Sequence, residues 1–450
     1  FGKNGTIVQK EEERRHPSLS CQHRESPNIL EIQSINNSPG RIRSNDRLVP
    51  KQRLELISVI VSCSHESGRL QFFFEYEEDE PKATSSEMVK QDFFIELPSG
   101  MEVDDIHPDH LALSAFLVAR PWIKKNLVFP KPISQRFADA FKPFNYSIGP
   151  VQDSISPYDS KNGKYMALAF SGGADSTAAL SVLPSTTIPI FLNRPDSEKK
   201  TLYDKRAALA SCEQLRKMGY RCLTALCDLE SLRKPIGFPT DLSNGVPAIL
   251  MANWLNIFGI AYGTVFESLF GLGRLRYKDY EETSHKKMWW DVFDAAGLPL
   301  TFPVGGISEV GTELICSKSK FGSIARSCIR GSSDEPCYRC WKCFRKSTLR
   351  TSLGLEEVHS KRLQQLISTN EVQSKLSKLP ISHEDVLLYA FSRLDMQNYP
   401  AEFAPRFRHG FELSFLERWF EPSSAYIDQR VREEVTSNIS FFLRRMDSSD

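Results

Sequence analysis

The sequence predicts an α/β protein: a doubly wound parallel sheet, preceded by a small α+β domain and followed by a helical region. Three observations predict it. From Tyr165 onward, short apolar runs (165–170, 188–192, 220–226, 260–266, and a weaker one near 323–327) alternate with helical stretches (175–183, 204–217, 247–257, 286–296, 308–317). That alternation marks parallel strands covered on both faces. Before residue 150, β-rich runs are separated only by turns and charges, and after 350 the pattern is helical throughout.

A chain of 450 residues exceeds one average domain. The expected division is a flexible polar tail (1–45), an accessory domain (46–150), a catalytic domain (160–350) and a helical region (351–450). A net charge of +1 gives no electrostatic case for nucleic acid or an anionic membrane. Ten cysteines, single apart from one late cluster, suit a reducing cytoplasm better than a disulfide framework. Gly245 to Phe266 is uncharged and long enough to span a bilayer. Its Pro247, Asn253, Asn256, Gly259 and Gly263 instead divide it into a helix and a buried strand.

In the accessory domain, Leu54–Val61, Leu70–Tyr76 and Phe93–Leu97 read as an antiparallel meander. His110–Ala119 reads as a helix, Pro121, Pro130 and Pro132 as breaks, and Gln135–Phe141 as a second helix. At the far end, Leu355–Ser368, His383–Ser392, Phe411–Phe420 and an amphipathic Ser424–Arg445 are helical, available to cover the catalytic domain or a second copy in a homodimer.

The first strand of the sheet leads into Ser171-Gly172-Gly173-Ala174-Asp175-Ser176 and then a helix. Two glycines let successive N–H groups face one concavity, and the helix start adds more free N–H groups, so the segment suits phosphate. Asp175 repels phosphate; it can cap the helix, fix the loop or hold Mg²⁺ through water. In open α/β sheets ligands gather at the carboxyl ends of strands, which makes Asn193, Arg194, Asp228, Glu230, Glu267 and Ser268 candidates, Glu267 foremost. Near the end of this region Cys328, Cys337, Cys340 and Cys343 stand as C-x8-C-x2-C-x2-C. Four thiols at that spacing suit Zn²⁺ in a closed structural site, with an iron–sulfur cluster as the alternative. Arg339, Lys342, Arg345 and Lys346 are placed to balance the thiolates or to be solvated.

The Ser171–Ser176 segment resembles the SGGxDS loop of the PP-loop ATP pyrophosphatase superfamily, and its pairing with the four cysteines is similar to 7-cyano-7-deazaguanine synthase over residues 160 to 350. The resemblance implies a Rossmann-like sheet, ATP with Mg²⁺ at Ser171, Gly172, Gly173, Ala174, Asp175, Ser176 and Asn193, and catalysis involving Ser171, Asp175, Ser176 and Glu267. It also implies Zn²⁺ on the cysteines. The reaction it implies splits ATP to AMP and pyrophosphate, adenylates a carboxylate or amide oxygen of a small molecule, and lets ammonia or another nucleophile displace AMP. That family's Pro-x-Arg-Asn is here Pro247-Ala248-Ile249-Leu250, its later lysine is replaced within Ser308-Glu309-Val310, and its aromatic-Gly-Gln-Arg-His has no counterpart in 193–206. A different acceptor is therefore expected. The competing readings are sulfur transfer to a base, needing a reactive thiol among Cys212, Cys222, Cys227 and Cys316, and a non-catalytic ATP-binding sensor.

Overall fold

The computed structural model describes residues 58–76, 87–123, 125–196, 204–273, 276–332, 335–357, 360–394 and 412–447. The expected tail, and the first residues of the Leu54–Val61 run, lie outside them. The chain is mixed α/β. The first sheet holds β1 (Ser58–Glu66), β2 (Arg69–Tyr76), β3 (Asp92–Glu96), β4 (Asn126–Ile133) and β5 (Ser147–Val151), in the order β3-β2-β1-β4-β5. β1 to β3 form the antiparallel meander, but β4 and β5 then add in parallel. Pro130 and Pro132, expected to break the chain, lie inside β4. Pairing with β1 stops at Val128, and the register against β5 shifts between Val128 and Ile133, so neither ring removes a ladder donor that β1 needs.

The second sheet contains β6 (Tyr165–Ala169), β7 (Ile188–Asn193), β8 (Leu223–Leu226), β9 (Ile257–Tyr262) and β10 (Leu300–Thr301), all parallel, in the order β10-β9-β6-β7-β8. The connections therefore run outward in both directions from β6, leaving a crevice at its carboxyl end. The fifth strand is β10. The run near 323–327 is a turn, with one 3-10 turn over Gly322–Ile324, because its backbone bonds sideways to neighbouring loops.

Side chains alternate along β6. Met166, Leu168 and Phe170 enter a core with α2 (Ala174–Val182), α6 (Glu309–Lys318) and α11 (Arg432–Phe442). Ala167 and Ala169 face the other core, shared with α1 (Pro108–Ala119), α4 (Val246–Leu250) and the first sheet. The small alanines let the short α4 approach. A register shift between Ile257 and Gly259 changes which face the following residues of β9 meet.

Gly245–Phe266 holds two short helices, β9 and a further turn, mostly buried. Among the described residues no helix is long and apolar enough to cross a membrane. From the cysteines onward, α7 (Trp341–Ser352) is followed by α8 (Ser360–Ile367), α9 (Asn370–Leu376) and α10 (Glu384–Ser392). The helix expected over 411–420 is reduced to a 3-10 turn at Ser414–Glu417, and that over 424–445 begins only at Arg432. Pro422 and the buried Ser423 and Tyr426 occupy a 3-10 segment that closes against β10 instead.

Candidate functional site

The loop after β6 is held by its own hydroxyls. Gly172 has φ +73°, a conformation that disfavours a Cβ. The Ser171 N–H donates to Ser176 Oγ (3.3 Å), the Gly173 N–H to Ser171 Oγ (3.4 Å), and the Ser176 hydroxyl to the Gly173 carbonyl (3.2 Å). α2 starts at Ala174 with no side-chain cap, so its first N–H groups keep their donor capacity. Gly263, just past β9, abuts the loop: a Cβ there would meet Ser176 N and Cα at 2.8 Å.

In front of this loop lies a cavity of about 770 Å³, large enough for a nucleotide-sized ligand. Its floor is built from strand ends: Phe170, Ser171 and Gly173 after β6, Phe191 and Arg194 at β7, Cys227 and Glu230 after β8. Its roof comes from much later in the chain, with Arg326, Cys328, Ile329, Arg330 and Lys342. The roof is bonded to the loop, since the Arg326 N–H donates to the Gly172 carbonyl (2.6 Å).

Most charges along the cavity are paired. Arg194 forms a two-pronged ion pair with Glu230 and lies over the Phe238 ring. Arg330 pairs with Glu371, and Asp204 with Arg206. Asp228 accepts from Lys90 Nζ (2.7 Å) and the Phe94 N–H (2.8 Å), which makes it a tie to the first sheet. Lys342 is different: it lines the cavity without a hydrogen bond or ion pair to a described residue, and the largest charge acting on it is that of Asp175.

The predicted site residues separate into two groups. Ser171 and Gly173 line the cavity, and Gly172 joins it through its carbonyl. Ala174, Asp175, Ser176, Asn193 and Glu267 do not line it. Asn193 Oδ1 is buried without a hydrogen-bond partner among the described residues. Asp175 faces the other side of α2, where it accepts from the Thr312 hydroxyl (2.9 Å) and lies 3.6 Å from Lys346 Nζ. Lys346, 4% exposed, also meets Glu309 and Glu313 at 3.2 Å. Arg345 donates to Glu309 (2.7 Å), and His383 lies 2.9 Å from the same carboxylate. Arg345 and Lys346 are thus balanced by carboxylates and not by thiolates.

Glu267 caps α6, both its oxygens accepting from the Glu309 N–H (3.1 and 3.2 Å). Burial, and then the Glu309 charge, push its carboxyl up to about 8. Burial would raise Glu309 too, but the Lys346 ammonium and Arg345 guanidinium outweigh it and hold that carboxyl well below the usual range.

Cys340 caps α7 (Trp341–Ser352), so Lys342 and Lys346 stand four residues apart on one face of it, Lys342 at the cavity and Lys346 in the carboxylate cluster.

The four cysteines converge. Their sulfurs all lie within 4.8 Å of one another, and Cys337 and Cys343 are 3.7 Å apart. Tetrahedral zinc with bonds of about 2.3 Å sets its sulfurs about 3.8 Å apart, so the donor set fits such an ion. Backbone N–H groups of Arg330 and Cys337 donate to Cys328 Sγ, and that of Cys343 to Cys340 Sγ, each at 3.4 Å. These bonds favour thiolate. Hydrogen bonds from the Cys340 and Cys343 thiols draw Cys328 far below the ordinary thiol range, and the same contact with Cys328 raises Cys340 to about 11.

The fold and site therefore define a mixed α/β protein with a glycine-loop cavity roofed by a four-cysteine knuckle able to hold a metal. A family of unknown function (DUF6395) matches residues 288–450, which contain the roof but not the loop. No curated protein matches the chain.

Proposed function

We propose that this chain is an ATP-dependent enzyme of the PP-loop type, which adenylates a carboxylate or amide oxygen of a small molecule and releases pyrophosphate. The observation that carries this reading is the cavity at the carboxyl ends of β6, β7 and β8, with Ser171 and Gly173 on its floor and Lys342 in its roof. The acceptor oxygen attacks the α-phosphorus, and the bond to the β-phosphate breaks with its electron pair leaving on pyrophosphate. Ammonia or another nucleophile then displaces AMP from the activated carbon. The N–H groups of the loop and of α2 stabilise the charge that collects on the departing phosphates. The apolar walls, Phe170, Phe191 and Ile329, limit water around the activated intermediate.

Zn²⁺ on Cys328, Cys337, Cys340 and Cys343 would be structural, because four thiolates leave no open position. Mg²⁺ accompanies ATP in this chemistry, but the acidic side chains do not fit as its direct ligands. Asp175 is engaged by Thr312 and Lys346, and Asp204, Asp228 and Glu230 each hold a cation. Phosphate oxygens and water remain as its ligands.

Sulfur transfer has less support. Burial raises the thiols of Cys227 and Cys316, and the Cys316 thiol is spent on the Ala174 carbonyl. Cys212 and Cys222 are buried against each other. The test is ATP–pyrophosphate exchange with a panel of carboxylates and ammonia. The wild-type protein is expected to form AMP, and Ser171→Ala to lower exchange by about tenfold or more at unchanged melting temperature. ATP bound without AMP formation across the panel would replace the enzyme with a nucleotide sensor.

A further inference from the structure

We infer that Lys342 is the cation that binds the β- and γ-phosphates, delivered to the glycine loop by the cysteine knuckle. This assignment rests on the nucleotide reading of the cavity. A triphosphate brings several negative charges, and a cation at the cavity adds charge-assisted bonds to those of the N–H groups.

The basic side chains on the cavity wall differ in what they already hold. Arg194 is committed to Glu230 and Arg330 to Glu371, while Arg326 donates to the carbonyls of Ser323 and Ala325. Lys346, one turn beyond Lys342 on α7, is enclosed by three carboxylates. Of these, Lys342 alone lines the cavity without a hydrogen bond or ion pair to a described residue; the largest charge acting on it is that of Asp175, and it shares the cavity lining with Ser171 and Gly173.

Its position is set by covalent neighbours. Lys342 lies between two cluster cysteines, Cys340 and Cys343, and Cys340 is the N-cap of α7, accepting from the Cys343 N–H. The next peptide is fixed as well, since the Trp341 N–H donates to Glu371 (3.1 Å). The knuckle therefore leaves the backbone of Lys342 little freedom. The Arg326 N–H bond to the Gly172 carbonyl keeps the same roof in register with the loop.

The experiment is calorimetric titration of the full-length chain with ATP and, separately, with AMP, comparing wild type, Lys342→Gln and Lys342→Arg. Lys342→Gln is expected to weaken ATP about 10- to 100-fold, the worth of a charge-assisted bond, while leaving AMP within about twofold. Lys342→Arg should restore most of the ATP affinity, which also excludes misfolding as the cause. Equal ATP affinity in wild type and Lys342→Gln overturns the assignment while the nucleotide reading stands. Equal losses for ATP and AMP also overturn it, because the lysine would then not act at the outer phosphates. A wild-type chain that binds neither nucleotide removes the nucleotide reading and this inference together.

Discussion

Glu267 and Asp175 were both expected to face a ligand, and both are turned toward a buried charge cluster behind the loop. Their chemistry is consequently testable as stability. A carboxyl with a folded pKa near 8 binds more protons in the folded than in the unfolded chain between about pH 4.5 and 8. Stability is thus expected to fall as pH rises through that window, with a slope of at most about 1.4 kcal/mol per pH unit for one proton. Denaturant midpoints at pH 5, 6.5 and 8 should show the fall in wild type and a flatter profile in Glu267→Gln. A variant profile that keeps the wild-type slope would place the titration elsewhere. Period and spacing could not reveal this cluster, because Asp175, Glu309, Lys346 and His383 come from four separate segments and meet only through tertiary packing.

Among the elements, those with a strong local signature were legible almost to the residue. The run Tyr165–Phe170 is a strand over Tyr165–Ala169, and the helix expected over 175–183 spans Ala174–Val182, because an apolar run, two glycines and a helix-forming stretch each point the same way. The C-x8-C-x2-C-x2-C spacing likewise brought four sulfurs together. What was hidden depended on partners: β10 is two residues long and exists by pairing with β9, and the helix expected over 411–420 yields to packing against neighbouring segments. The knuckle carries the prediction at this scale. One metal ion per chain is expected by elemental analysis, and Cys337→Ser should lose it. Removing the metal should then speed hydrogen exchange in α7 and in the helices at 360–376, which meet the knuckle through Glu371, before it affects β6 or β7. Uniform exchange across both regions would mean that the knuckle does not organise those helices.

Over the whole molecule, the two sheets are joined at their edges. An isolated antiparallel bridge between Ile95 and Cys227 sets β3 beside β8, and Asp228 fastens it through Lys90 and the Phe94 N–H. This leaves the edge of the parallel sheet covered rather than open to another chain. Asp228→Ala should lower stability by about 1–3 kcal/mol in urea, with fluorescence and circular dichroism used to see whether the sheets part together or in turn. A change under about 0.5 kcal/mol would show that the bridge holds without it. The far side of α2 has a different closure: the Asn438 side chain donates to the Val182 carbonyl, a contact 256 residues long in sequence. During synthesis, then, the glycine loop precedes both covers of its helix: α6 comes first, through Thr312 and Cys316, and α11 closes the rest only when Asn438 has emerged. At about 5–20 residues per second, the part of α2 that α11 covers stays open to chaperones or to other nascent chains for an interval on the order of 10–50 s.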